Sequence, residues 1–424
     1  MNQPLNLRFS LPSLFWRGTI ATLTTGSLLA PGLTPAAKAT LEESPKAVID
    51  EVWQLVNQKY AGKNFNQNEW QATRQELLSK DYASREQAYS AIEQALEELG
   101  DPYTRFLDPE AFKNLSNQTS GELSGIGARL KIDQKNKLLT VVSPLENSPA
   151  SKAGIKAGDR ILAINGQLTS LMSLEQATEI LRGKSGTDVN LRLSRPGKGK
   201  FNVTLTRAQI EVPALSYSLK KENKKENQKR VGYIQLKEFS SHAAEQMKQA
   251  IQNLKQKNAD AFVLDLRDNP GGLLLSGVEI ARMWMENGKI VSIVNREGSD
   301  RQFSANNKAL TELPLAVLID GQSASASEIL AGALKDSGRA QVVGTRTYGK
   351  GTVQSVNSLS DGSGLAVTIA RFYSPSGTPI NQRGIKPDVA VDLSTAKRQR
   401  LKANPSLLGT ENDPQYERAV RVLK

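Results

Sequence analysis

The chain has 424 residues, with 55 lysines and arginines against 43 acids, a formal net charge of +12, no cysteine and one histidine, His242. This excludes thiol nucleophiles, disulfides, cysteine metal sites and zinc sites built from several histidines. The length suggests two or three domains. The positive balance favours anionic surfaces or acidic partners but does not point to nucleic acid, because the lysines are dispersed and no aromatic residues interleave with them.

Residues 1–39 read as an export signal for general secretion. Arg8 and Arg17 supply charge, Gly18 to Leu33 is uncharged and moderately apolar, and Ala37-Lys38-Ala39 fits a small-x-small cleavage site. Residues 40–115 are expected to form a helical domain: Val48, Val52, Leu55 and Val56 recur at helical spacing, as do Ile92, Leu96 and Leu99, and Gly100-Asp101-Pro102 stops the second run. Asp101 to Glu110 reads as a turn with aromatic anchors.

Residues 116–207 form the next unit. Ser124-Gly125-Ile126-Gly127-Ala128 enters a strand over Arg129 to Ile132, Ser148 to Gly158 leads into a strand ending at Gly166, a helix covers Ser173 to Leu181, and a β pair spans Val189 to Leu193 and Phe201 to Leu205. This pattern resembles a PDZ domain. Such domains bind a chain end by adding it as a strand, with its carboxylate held by backbone N–H groups. Gly125, Ile126, Gly127 and Ala128 are the loop expected to hold that carboxylate, since glycine lets backbone approach closely; on their own, these glycines need only make a hairpin.

Residues 208–395 read as an α/β core. Lys220 to Arg230 is taken as a solvated, lysine-rich loop. Strands are expected at Val231 to Leu236, Ala261 to Leu266, Ile290 to Asn295, Leu315 to Ile319, Ala340 to Gly344 and Gly364 to Tyr373. Helices at Ser241 to Lys257 and Leu274 to Met285 alternate with them. Residues 396–424 read as a polar, basic, partly helical tail. The whole is a multidomain α/β (α+β) chain: a helical N-terminal region, a PDZ domain and an α/β core.

The chemistry concentrates between Ile319 and Gln354. An apolar strand runs into Ser323-Ala-Ser325-Ala-Ser327-Glu328 and then into a small apolar helix, so a nucleophile there would have a helix N-terminus behind it. The three serines compete. Ser323 suits a helix N-cap, Ser327 falls inside the helix, and Ser325 lies between two alanines. Without cysteine, and with a lone helix-face histidine as the alternative base, a lysine whose burial depresses its pKa can activate a serine. Lys350 sits between two glycines, and Gln354 would share its face on a strand. Asp336 could orient the site but suits the helix C-terminal loop better, and Asp265, Arg267 and Asp268 suit structural ion pairs.

Three segments, SASASE, Tyr348-Gly-Lys350-Gly-Thr-Val-Gln354 and Leu264-Asp-Leu-Arg-Asp-Asn-Pro-Gly-Gly272, resemble those of the carboxyl-terminal processing peptidases, or tail-specific serine proteases. The resemblance implies Ser325 as nucleophile, Lys350 as general base, Gln354 as its support, and the N–H groups of Gly271 and Ala326 as the oxyanion hole. It implies a protein substrate with a free C-terminus, no metal and no cofactor. The layout is similar both to periplasmic enzymes and to those of the thylakoid lumen, which trim a photosystem II reaction-centre protein; peripheral association with a membrane is compatible with either. The competing readings are a non-catalytic PDZ adaptor or chaperone, and an esterase of other specificity.

Overall fold

The computed structural model describes residues 44–423 apart from 63–64, 134–136 and 225–226; the expected export signal lies outside the described residues. Three helices, Pro45–Lys59, Gln67–Ser79 and Arg85–Glu97, open the described chain. Val48, Ile49, Val52 and Val56 line one face of the first and are buried. The next two are capped by short polar side chains as their sequences dictate: the Asn66 side chain accepts from the Asn68 N–H at 3.0 Å, and Ser84 from the Gln87 N–H. Trp53 and Trp70 each donate an indole N–H to the other's carbonyl, at 2.8 and 3.1 Å.

These helices do not close a core alone. Their apolar cluster includes Phe106, Leu359, Leu365 and Val367, so they are seated on strands of the α/β core. The 101–110 segment is also more than a turn. Arg105–Leu107 pairs antiparallel with Gly364–Tyr373, which also pairs with Thr352–Ser358 and Lys289–Asn295; Asp300–Ser304 completes this five-stranded sheet.

The PDZ-like unit is a sheet in the order Ala128–Ile132, Leu139–Pro144, Arg160–Ile164, Asp188–Arg195, Gly199–Thr206. Against it packs the helix Leu174–Leu181, started by a Ser173/Gln176 capping box. The chain enters and leaves through two short strands, Glu122–Gly125 and Ala208–Glu211, that pair with each other.

The core sheet has six strands in the order Leu215–Lys224, Asn227–Leu236, Ala261–Asp265, Leu315–Ile319, Gln341–Gly344, Val389–Ala390, parallel except for the first. Ala261–Asp265 and Leu315–Ile319 are buried at every position, as expected of parallel strands covered on both faces. Helices Ala243–Gln256, Leu274–Trp284 and Ala326–Asp336 share one apolar cluster with one face of this sheet.

Two expectations change here. Lys220 to Arg230 is not a loop: Leu215–Lys224 and Asn227–Leu236 run as one long antiparallel hairpin whose register carries through Lys221↔Arg230. The C-terminal stretch is not a tail either. Its helix Pro414–Val422 covers the second face of the core sheet, burying Tyr416, Ala419 and Val420 against Val263, Ala316 and Leu318. Among the described residues no helix is long and apolar enough to cross a membrane.

Candidate active site

The strand Leu315–Ile319 ends at the carboxyl edge of the sheet, where α/β folds place their ligands. Asp320 then folds the chain back, its Oδ1 accepting from the N–H groups of Gln322 and Ser323 at 3.0 and 3.1 Å. Two of the three competing serines are held in the framework. Ser323 Oγ donates to the Leu266 carbonyl at 2.8 Å and Ser327 Oγ to the Asn269 carbonyl at 2.9 Å, and both residues are fully buried. The helix N-cap position belongs to Ser325 rather than Ser323. Ser325 has φ 53° and ψ −113°, a conformation that a side chain adopts only when its surroundings enforce it, at a cost of about 1–3 kcal/mol. The turn lifts Ser325 to a half-buried position at the helix N-terminus.

A residue that the sequence reading passed over enforces this geometry. Glu328 is fully buried, and its carboxylate accepts from the Ser325 N–H at 2.9 Å, the Thr347 hydroxyl at 2.6 Å, the Gly349 N–H at 2.7 Å and the Lys350 N–H at 2.8 Å. The Ser325 and Lys350 bonds end on the same oxygen, Oε2, so one carboxylate fastens the serine turn to the lysine loop. Burial pushes the Glu328 carboxyl up, against the pull of those four donors. The available signal was an acid in the first turn of the helix, directly ahead of the apolar run Ile329 to Leu334.

Lys350 lies in the loop before the strand Thr352–Ser358, its Nζ 4.8 Å from the centre of the Tyr103 ring. Among the described residues no hydrogen bond joins Nζ to Ser325 Oγ: the amine rests on the aromatic face. Burial, and secondarily the Arg105 charge, push the ammonium below the usual lysine range, while Asp101 and Glu328 oppose the shift. If neutral Lys350 is the base, activity rises with pH through its lowered pKa. Arg105→Leu removes a repelling charge, raises that pKa and moves the rising limb to higher pH; Asp101→Asn removes an attracting one and moves it lower. The kcat/KM profiles of the two variants check this, and shifts of the same sign would contradict it.

The Asn269-Pro-Gly-Gly turn abuts the serine. Gly271 has φ 102°, and a Cβ there would stand 2.7 Å from the Ala324 carbonyl and 2.9 Å from Ser325 Cβ, so only glycine fits. Its N–H donates to Asn269 Oδ1 at 2.9 Å. The Ala326 N–H has no acceptor among the described residues.

Gln354 donates its amide to Thr352 and Thr368 at 2.9 and 3.1 Å. The ladder shifts register between Val353 and Gln354, and Lys350 precedes the strand, so simple alternation does not put the two on one face. Asp336 is at the other end of its 11-residue helix, roughly 15 Å along the axis from Ser325, and accepts from the Ser376 N–H at 3.1 Å. His242 Nε2 lies 3.1 Å from Glu122 Oε1, at the strands that link the PDZ-like unit to the core. Arg267 is buried between Asp265 and Asp413, at 2.6 and 2.7 Å, which pins the C-terminal helix to the strand end that leads into the glycine turn.

In the PDZ-like unit a cavity of about 200 Å³ opens between Ala128–Ile132 and Leu174–Leu181, lined by Gly125, Ile126, Gly127, Ala128, Leu130 and Leu181. The loop's carbonyls are already bonded: Ile126 to the Ala150 N–H at 2.9 Å, and Gly127 to the Leu145 N–H at 2.8 Å and to Ser148 Oγ at 3.0 Å. The N–H groups of Ile126 and Gly127 have no acceptor among the described residues. Gly127 has φ 73°, and a Cβ there would meet Ser148 Cβ at 2.3 Å.

Residues 230–391 match peptidase family S41, and residues 140–195 match a PDZ domain. The chain is 41% identical over 379 residues to a carboxyl-terminal-processing protease of Synechocystis, covering 89% of this chain and 87% of that one. It is 40% identical over 355 residues to the chloroplastic carboxyl-terminal-processing peptidase 2 of Arabidopsis thaliana, covering 82% and 69%. Among solved structures, a photosystem II D1 C-terminal processing protease matches with a TM-score of 0.54 at 35% identity, over 88% of this chain and 99% of that one. With the PDZ unit inserted ahead of an α/β core whose serine turn and lysine loop share one buried carboxylate, the chain belongs to peptidase family S41, as a serine-type hydrolase of the carboxyl-terminal-processing kind.

Proposed function

We propose that this enzyme captures the free carboxyl end of a protein substrate in the Gly125–Ala128 groove and cleaves the chain upstream of it by a Ser325–Lys350 dyad. The observation that carries the reading is the double attachment of Glu328 Oε2 to the Ser325 and Lys350 backbones. Neutral Lys350 leaves the Tyr103 face and takes the Ser325 proton as Oγ attacks the scissile carbonyl. The helix N-terminus, with the Ala326 N–H, faces the developing oxyanion. The Gly271 N–H serves as second donor once it turns from Asn269. Such a donor is worth about 3 kcal/mol of barrier. Lys350 then protonates the leaving amine, and water resolves the acyl-enzyme. Gln354, anchored by two threonines, supports the lysine side of the site; Asp336 supports it only indirectly, by bracing the turn at Ser376.

The photosystem II reaction-centre protein named by the solved relative is the substrate class proposed, in a thylakoid lumen or periplasm, with the enzyme associating peripherally with the membrane that holds its substrate. The test compares one tailed peptide with a free and with an amidated carboxyl end. Capture of the carboxylate predicts at least about a tenfold loss of kcat/KM on amidation, carried mainly by KM. Equal turnover of both forms would remove the capture role and favour an esterase-like specificity.

A further inference from the structure

A second cavity, of about 580 Å³, lies beside the lysine loop, between the N-terminal helices and the five-stranded sheet. Its walls are the loop's own neighbours. Asn381 Oδ1 accepts the Gly351 N–H at 3.3 Å, and the Gln382 N–H donates to the Gly349 carbonyl at 2.7 Å. Arg371 pairs in register with Thr352, and the residue after it, Phe372, donates its N–H to Gly351 at 3.0 Å. Tyr103, which carries the Lys350 ammonium, also lines the cavity, and Tyr60 and Trp70 supply aromatic wall from the helical side.

Among the described residues, the one cation on this wall is Arg371. Among the described residues its guanidinium makes no ion pair and donates no hydrogen bond, and its Nε is shut off from solvent without an acceptor. A half-buried guanidinium without an acceptor calls for one, and a carboxylate matches its forked donors best. The cavity's own acids do not meet that need. Asp101 accepts from the Tyr103 N–H and the Thr104 hydroxyl, while Glu69 and Glu98 are exposed and therefore screened.

We propose that this cavity is a substrate subsite that takes an acidic side chain close to the scissile bond, with Arg371 as the residue that selects it. The proposal rests on the tail-processing reading above for the identity of the ligand as a peptide. Its aromatic residues accommodate the side-chain stem, and Tyr103, which lines the cavity and carries the Lys350 amine, sets the bound residue one ring away from the lysine that serves the leaving group.

The test measures binding, so that it stands apart from catalysis. Fluorescently labelled peptides with a free carboxyl end, identical except for Glu, Gln, Leu or Lys walked along the sequence, are titrated by anisotropy against Ser325→Ala protein with and without Arg371→Gln. The expected result is one position at which Glu binds about tenfold tighter than Gln. That preference falls as salt rises, shrinks to within about twofold in Arg371→Gln and is partly kept in Arg371→Lys, while the Leu peptide is unaffected. No position with a Glu preference, or a preference that survives Arg371→Gln, overturns the proposal. If Arg371→Gln does not fold, the Glu/Gln ratio and its salt dependence in the Ser325→Ala protein and in Arg371→Lys decide. Cleavage of the same peptides by the unmodified enzyme reports separately on Ser325.

Discussion

Replacing Lys350 by arginine is expected to lower kcat by about 10⁴-fold or more while leaving peptide binding within a fewfold of the parent value. Removing one member of a serine dyad or triad leaves only the contribution of binding and oxyanion stabilisation. Arginine keeps the charge and much of the length of the lysine stem, but its guanidinium does not deprotonate in a protein, so it cannot accept the Ser325 proton. In the proposed mechanism lysine serves because its amine is half-buried against Tyr103, and burial together with Arg105 pushes its ammonium down. A single-turnover assay with an activated ester separates acylation from binding. Undiminished acylation in Lys350→Arg would assign the base elsewhere.

Glu328→Gln is the second large effect. Glu328 accepts three backbone N–H groups and a hydroxyl in a site closed to water. The glutamine amide nitrogen would face donors, leaving one or two of them unsatisfied at about 1–3 kcal/mol each. The Ser325 turn is already strained, so the loss should appear twice. Stability should fall by about 2–4 kcal/mol, and kcat by about 10²-fold or more as the serine and lysine backbones lose their common anchor. Denaturant unfolding and kcat, measured on the same preparation, check both. A variant with lowered stability but full kcat would reduce Glu328 to a structural residue.

Much of this site was legible in the chain. The continuous apolar runs Ala261–Leu264 and Leu315–Ile319 marked buried parallel strands, and the polar turn after the second marked the site's edge of the sheet. The motif around Ser325 left three serines open. Only the tertiary partners of Ser323 and Ser327, the Leu266 and Asn269 carbonyls, show that two of the hydroxyls are structural. The role of Glu328 was hidden because its partners Thr347, Gly349 and Lys350 come from a loop that no local pattern brings to it. The shared face expected for Gln354 and Lys350 is not given by strand alternation, because the ladder shifts register at Val353/Gln354 and Lys350 precedes the strand. The hairpin at 215–236 and the helix Pro414–Val422 were masked by their charged residues. In both, the apolar residues that matter, such as Tyr233 and Tyr416 with ring centres 5.5 Å apart, are few and meet only across the fold.

The most direct measurement is mass spectrometry of a carboxyl-terminally extended photosystem II core protein incubated with the unmodified enzyme and with Ser325→Ala. With Ser325 as the nucleophile, the expected result is a single shortened product and a released C-terminal fragment from the unmodified enzyme, and intact substrate with Ser325→Ala. The same shortened product from Ser325→Ala would contradict it.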